Sequence, residues 1–175
     1  MANLSASDDY FRFFGLNQQF TIDLPALDQA YLAIQKEVHP DRHARGSDTE
    51  QRLAMQMATF ANTAFQTLKN PVQRGLYICQ LHGVDAKLET NTAMPATFLM
   101  KQMEWRESLD EQAEDLPALE KLMDEVEASK QDTLAQIGQA IDGAQNYQRA
   151  AELLRGLLFI DKFAFELDDA IAALA

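Results

Sequence analysis

Cysteine is nearly absent from this chain: of 175 residues only Cys79 carries a thiol. That excludes an internal disulfide and any iron–sulfur or zinc site built from several cysteines of this chain. A reducing, cytoplasmic setting is expected. Long apolar runs are missing as well. None approaches the roughly 20 residues of a membrane helix. Met1–Asp9 is polar and acidic, without the basic-then-apolar layout of a secretory signal. Strand patterns are equally scarce, because Val, Ile and Thr are too scattered to alternate with polar residues. There is no internal repeat and no low-complexity tract. With 47% hydrophobic and 24% charged residues, the chain is an ordinary globular protein, neither wholly disordered nor collagen-like.

Positive charge is also in short supply, with Lys+Arg 15 against Asp+Glu 27 and a net charge of −12. The deficit is uneven. Residues 1–75 carry a net −1 and residues 76–175 a net −11. Such a field repels phosphate backbones and anionic lipid, so nucleic acid and membrane are excluded as expected partners. A basic protein partner fits the acidic half, and so does plain solubility.

What is present reads as helix throughout. A short first helix is predicted over Asp9–Phe14, stopped by Gly15. Asp23 caps the next, with Pro25 in its first turn and Ile22 able to staple onto Leu27. Leu27, Tyr31, Ile34 and Val38 then share one face, and Pro40 ends the run at His39. A polar loop is expected over Asp41–Asp48. A third helix follows from about Thr49 to Lys69, burying Met57, Ala61, Ala64, Phe65 and Leu68. Asn70–Pro71 breaks it, and a fourth helix reaches Leu81 before Gly83. The first domain accordingly spans residues 1–80, and residues 81–94 read as a linker. In residues 95–175, helices are predicted over Pro95–Glu114, Leu116–Ile141 (capped by Asp115) and Gln145–Leu174. Short connections between long helices imply an antiparallel three-helix bundle. The fold class is all-α.

His39-Pro40-Asp41 lies between two helices expected to pack as a hairpin. Pro40 fixes its own backbone and restricts His39, so the flanking His and Asp are presented rigidly. Such a surface suits docking onto a partner's Arg or backbone amides. A metal site or acid–base pair from His39, Asp41 and His43 is the competing reading. No third ligand is placed by the sequence, and Pro40 keeps the two histidines off a common helical face. The wider pattern includes Ala30-Tyr31, Ile34, His39-Pro40-Asp41-Arg42, Asn62-Thr63-Ala64-Phe65-Gln66-Thr67-Leu68, Asn70-Pro71 and Arg74-Gly75-Leu76-Tyr77. Over about residues 8–78 it resembles a J domain. That resemblance implies docking of His39, Pro40 and Asp41, with Lys36 and Arg42 beside them, on a DnaK-type chaperone whose ATP hydrolysis is stimulated. J domains usually present a basic face before the tripeptide. Here that helix offers only Lys36, with Arg42 and Arg45 beyond, which implies weaker electrostatic docking and a dedicated chaperone.

In the second half, Phe98, Trp105, Leu109 and Leu116 group on one helical face as core. Leu99, Met100 and Met103 lie largely opposite, beside Glu104, Glu107 and Glu111. They are either a buried second layer or an interface with an acidic rim. On the last helix Glu152, Arg155, Lys162, Glu166 and Asp169 mark a solvent face, and Phe159 interrupts it. A Phe in that position is either covered or a binding residue. If the two helices are neighbours, these exceptions form one patch.

The run Phe98–Glu107, followed by Leu109-Asp110-Glu111, resembles the C-terminal domain of the HscB family, and so does Leu157–Lys162. With the J domain, the resemblance spans nearly the whole chain and is to the bacterial type, which lacks an N-terminal cysteine-rich segment. It implies a non-enzymatic co-chaperone that brings an IscU-type iron–sulfur scaffold to an HscA-type chaperone. The scaffold-binding residues it implies are Leu99, Met100, Met103, Glu104, Glu107, Glu111 and Phe159. A Leu is more usual where Met103 stands. No metal and no nucleotide cofactor is expected on this chain. The alternative is a J-domain co-chaperone for another client. Cys79 and His82 are expected to be structural and unpaired.

Overall fold

A computed structural model describes residues 9–86 and 93–174. The chain divides into two compact units, Met1–Ile78 and Cys79–Ala175. The expected linker 81–94 includes residues 87–92, which lie outside the described residues.

In the first unit, α1 (Tyr10–Phe13) is capped by the Asp9 carboxylate, which accepts from the Arg12 amide, and Gly15 leaves it at φ 68°. Helix α2 (Leu24–Val38) starts where Asp23 accepts from the Ala26 amide. The segment expected as loop after His39 instead winds one turn, α3 (Pro40–His43). Proline is well placed there, since a first-turn residue needs no N–H partner and its φ is already helical. Helix α4 (Asp48–Lys69) begins with a reciprocal cap: Ser47 Oγ accepts from the Glu50 amide while the Glu50 carboxylate accepts from the Ser47 amide. Helix α5 (Pro71–Leu81) restarts the chain after Asn70.

Leu27 and Ile34 of α2 are buried with Ala54, Ala61, Ala64, Phe65 and Leu68 of α4. Small residues on α4 let the two helices approach closely, and Tyr31 stacks on Phe65 at 4.1 Å between centroids. The Tyr31 hydroxyl then donates to Asn62 at 3.2 Å. Met57, expected in this core, is only half-buried. It flanks the contact face because Ala54, Ala61 and Ala64 occupy the line of closest approach. Four aromatics close the other side: Tyr10 stacks on Tyr77 at 4.3 Å, and Phe13 meets Phe60 edge-on at 4.9 Å.

The second unit contains α6 (Ala96–Glu111), α7 (Leu116–Gly138) and α8 (Tyr147–Leu174). Helix α6 stops three residues short of the expected Glu114. Helix α7 passes into a π-helical turn, Gln139–Gly143, where regular helix was expected to Ile141. The widened turn buries Ala140 and Ile141, and Gln145, at φ 51°, redirects the chain into α8. The core is Trp105, Leu119, Leu122, Val126, Ile160, Phe163 and Leu167. Helices α7 and α8 join by a short connection and run antiparallel, with Lys130 paired to Asp161 at 2.7 Å. Helix α6 runs parallel to α8: Phe98 meets Phe159, Trp105 stacks on Phe163, and Arg106 pairs with Glu166 at 3.0 Å. This is the up-down-up order of a three-helix bundle.

Cys79 and His82 are not unpaired. The Cys79 thiol donates to the Tyr147 carbonyl at 3.5 Å, and the His82 ring stacks on Tyr147 at 3.8 Å. Arg155, expected on the solvent face, is 7% exposed, and its Nη1 donates to the Ala86 carbonyl at 2.9 Å. The long stem is buried while one end of the guanidinium answers the Ala86 carbonyl.

Candidate functional site

The junction of α2 and α3 is built by side chains that stitch backbone ends together. The last carbonyls of α2 have no partner within the helix. Arg42 Nη1 donates to the Lys36 carbonyl at 3.1 Å, and His43 Nε2 lies 2.8 Å from the Glu37 carbonyl. Both groups sit at the negative end of the helix dipole, which favours their donors there. One turn of helix is thereby tied back on the one before it.

His39 serves both turns, as the residue after α2 and the cap of α3. Its backbone is extended (φ −57°, ψ 132°), as a residue before proline must be. Its Nδ1 accepts from the Asp41 amide at 3.2 Å, which places the ring proton on Nε2. The Asp41 carboxylate also lies 3.6 Å from the same Nδ1. That pair forms only with a proton on Nδ1, so the amide contact and the ion pair exclude one another. We favour the amide contact, which completes the cap. His39, Pro40, Asp41, Lys36 and Arg42 are all exposed. Lys36, His39, Pro40 and Arg42 border a groove of about 640 Å³ with Leu32, Val38 and Ala58, while Asp41 lies outside it. Leu32, an exposed apolar residue on α2, was missed in the sequence. The signal was available, since it stands off the Leu27–Tyr31–Ile34–Val38 face. Among the described residues no three His, Cys, Asp or Glu side chains converge as metal ligands.

On the bundle, Leu99, Met100 and Met103 are 48%, 62% and 64% exposed, and Phe159 is 41% exposed. They are not a buried second layer. Their arrangement follows from register. Seven residues are about 20° short of two full turns, so i and i+7 share a flank. Leu99 and Arg106 are seven apart, and so are Phe159 and Glu166. Because Arg106 reaches Glu166 across parallel helices, the same register sets Leu99 opposite Phe159 two turns earlier. Phe98 and Trp105 repeat the rule one flank inward, against Gly156 and Phe163. A methyl group at Gly156 would meet Met94 Cε at 3.2 Å and Phe98 Cε2 at 3.5 Å, so glycine permits this close approach. Phe98 fills the space, and its ring meets that of Phe159 at 67°, 6.4 Å between centroids.

Met103 borders Leu99 on the flank toward α8. Met100 turns outward with Glu104, Glu107 and Glu111, all exposed. The result is an apolar strip along one seam of the bundle with an acidic ridge on one side. Leu99, Met100, Met103, Glu104, Glu107 and Glu111 are thus all exposed on α6, and Phe159 is exposed on α8 beside Phe98. Among the described residues, no helix is long and apolar enough to cross a membrane.

Residues 94–168 match the family described as the HSCB C-terminal oligomerisation domain. The co-chaperone protein HscB homolog of Ralstonia nicotianae is 45% identical over 169 residues, covering 95% of this chain and 96% of the relative. The chaperone HscB from Vibrio cholerae superimposes with a TM-score of 0.82 at 33% identity, covering 96% of this chain and all of that one. Human co-chaperone protein HscB gives a TM-score of 0.86 at 29% identity, covering 94% of this chain and 82% of that one. The fold is therefore an N-terminal J domain followed by a C-terminal helical bundle, and the chain belongs to the HscB co-chaperone family.

Proposed function

We propose that this chain is an adaptor, without an active site of its own, for iron–sulfur cluster assembly in the cytoplasm. Its domains in this reading are a J domain over residues 1–80, a connection over 81–94 and a scaffold-binding bundle over 95–175. The bundle holds an IscU-type scaffold on Leu99, Met100, Met103 and Phe159, with Glu104, Glu107 and Glu111 meeting basic groups of the partner. The J domain engages an HscA/DnaK-type chaperone through His39, Pro40 and Asp41, with Lys36 and Arg42 alongside, and stimulates its ATPase.

The observation that carries this reading is the exposed strip of Leu99, Met103 and Phe159 beside an acidic ridge. An apolar centre with a charged border is the anatomy of a protein interface, and an exposed aromatic at its middle is the usual energetic anchor. On the chaperone side, His39 Nε2–H and the Asp41 carboxylate are a donor and an acceptor carried on one capped turn. The backbone that bears them needs little ordering when a partner binds. Holding client and chaperone at once raises the effective concentration of one at the other.

Binding of the scaffold to Phe159→Ala tests the interface. The expected result is at least a tenfold rise in Kd with helicity and Tm retained. Unchanged scaffold affinity, with stimulation of the chaperone intact, would move the bundle to a different client.

A further inference from the structure

The sulfur atoms of this chain are unevenly accessible. Cys79 is fully buried, and its thiol, pushed up to about 11 by burial, offers almost no thiolate for oxidants to attack. Met57, Met94 and Met123 are half-buried. Among the described residues, the sulfur-bearing side chains mostly open to solvent are Met55, Met100 and Met103. Of these three, Met103 falls in the strip on α6 and Met100 stands at its border with the acidic ridge, so the chemistry of this surface toward oxidants is that of exposed thioethers.

A peroxide converts such a group directly. The sulfur lone pair attacks one peroxide oxygen, the O–O bond breaks, and the sulfur keeps that oxygen while the other leaves as water. The sulfur loses two electrons and the peroxide gains them. The product is a polar sulfoxide in place of a flexible apolar contact. Here a second effect adds to it. Met100 precedes Glu104 by four residues, and Met103 precedes Glu107 by four, so each sulfoxide oxygen would bring partial negative charge beside a carboxylate on the same helix face. Desolvating that pair against a partner costs more than desolvating a thioether.

We infer that Met100 and Met103 form a reversible oxidation site, at which peroxide converts the apolar strip into a polar one and releases its protein partner. This rests on the assignment of the strip to scaffold binding. Reversal needs only a thiol-dependent sulfoxide reductase, which takes the oxygen as water and oxidises two thiols to a disulfide. Met55, on α4 of the first unit, is an internal control, equally exposed but outside the strip.

The test treats the purified full chain with hydrogen peroxide, removes the oxidant, locates sulfoxides by mass spectrometry and then titrates an IscU-type scaffold. Expected are sulfoxides at Met55, Met100 and Met103 ahead of Met57, Met94 and Met123. The Kd should rise at least tenfold with an unchanged melting curve, and the two sulfoxide reductases of opposite stereospecificity should restore it. For M100L/M103L the ratio of treated to untreated Kd should stay within twofold, whatever its starting affinity. For M55L that ratio should match the unaltered chain. Sulfoxides at both Met100 and Met103 without a change in Kd would overturn the inference, as would an equal ratio in M100L/M103L. Untreated Phe159→Ala separates the two levels. If it binds normally, the interface assignment itself fails. If it is weakened while the oxidised chain is not, only the oxidation site fails.

Discussion

The tip of α2 and the seam between α6 and α8 both offer exposed groups to a partner, by opposite means. At the tip, regular helix has ended, and the presentation is made by backbone constraint. Pro40 sets the turn, His39 caps it, and Arg42 and His43 tie it to the carbonyls of Lys36 and Glu37. The groups on offer are polar and few. At the seam, by contrast, nothing about the backbone is unusual. The exposed groups are side chains on regular helix, apolar where an amphipathic pattern calls for polar ones. The tip is rigid because its ends are satisfied; the seam is rigid because its reverse side is the bundle core. In the proposed reading, a single substitution at the tip removes a function, whereas at the seam it removes either function or fold, depending on which flank it strikes.

That distinction can be broken at adjacent turns of α8. Phe163, fully buried against Trp105, should cost about 3–5 kcal/mol when cut to Ala, a fall in the melting temperature of the second unit of more than about 12 °C. Phe159→Ala, four residues earlier, should leave Tm within about 3 °C, yet weaken the scaffold complex by about 1.4 kcal/mol or more. Thermal melts and a binding titration on the same two preparations decide it. Similar Tm losses in both would put Phe159 in the core and dissolve the seam as a separate surface.

Smaller changes sharpen the comparison at the tip. Ser47→Ala removes the hydroxyl that caps α4 and should cost about 1 kcal/mol, read by chemical denaturation of the first unit. The partner in that cap is Glu50. Its carboxyl is held below its ordinary value of 4.5, chiefly by the Ser47 amide and then by the Ser47 hydroxyl. A carboxyl with a lowered folded-state pKa stabilises above its unfolded value and loses that contribution as pH falls through the folded value. Stability profiles between pH 5 and the acid limit should thus be flatter for Glu50→Gln than for the unaltered chain. A steeper profile would reverse the sign.

Most of the fold could be read from breakers and caps. Gly15, Asp23, Asn70–Pro71 and Asp115 stand where helices stop or start, because caps and turns are local and their residue preferences are steep. The tip was legible as a motif, and the seam as an exception to pattern, with Phe159 standing in a charged row. Arg155 stands in that same row and was misread. Whether a guanidinium points to water or to a carbonyl depends on which backbone passes nearby, and Ala86 is 69 residues away in sequence. The partners of Cys79 and His82 were hidden for the same reason, since Tyr147 reaches them only through the fold. Leu32, in contrast, carried the same signal as Leu99 and went unnoticed beside the stronger motif. Local chemistry is written in the sequence, then, and long-range pairing of polar groups is not.

In the proposed function, one chain couples client to chaperone through two surfaces. The most direct measurement is the steady-state ATPase rate of an HscA-type chaperone with limiting IscU-type scaffold, with and without this protein. His39→Gln and Phe159→Ala should each be compared with the unaltered chain. The account predicts strong stimulation that needs the scaffold, is lost with His39→Gln at any concentration, and is recovered for Phe159→Ala by raising the scaffold. Stimulation indifferent to the scaffold, or undiminished by His39→Gln, would contradict it.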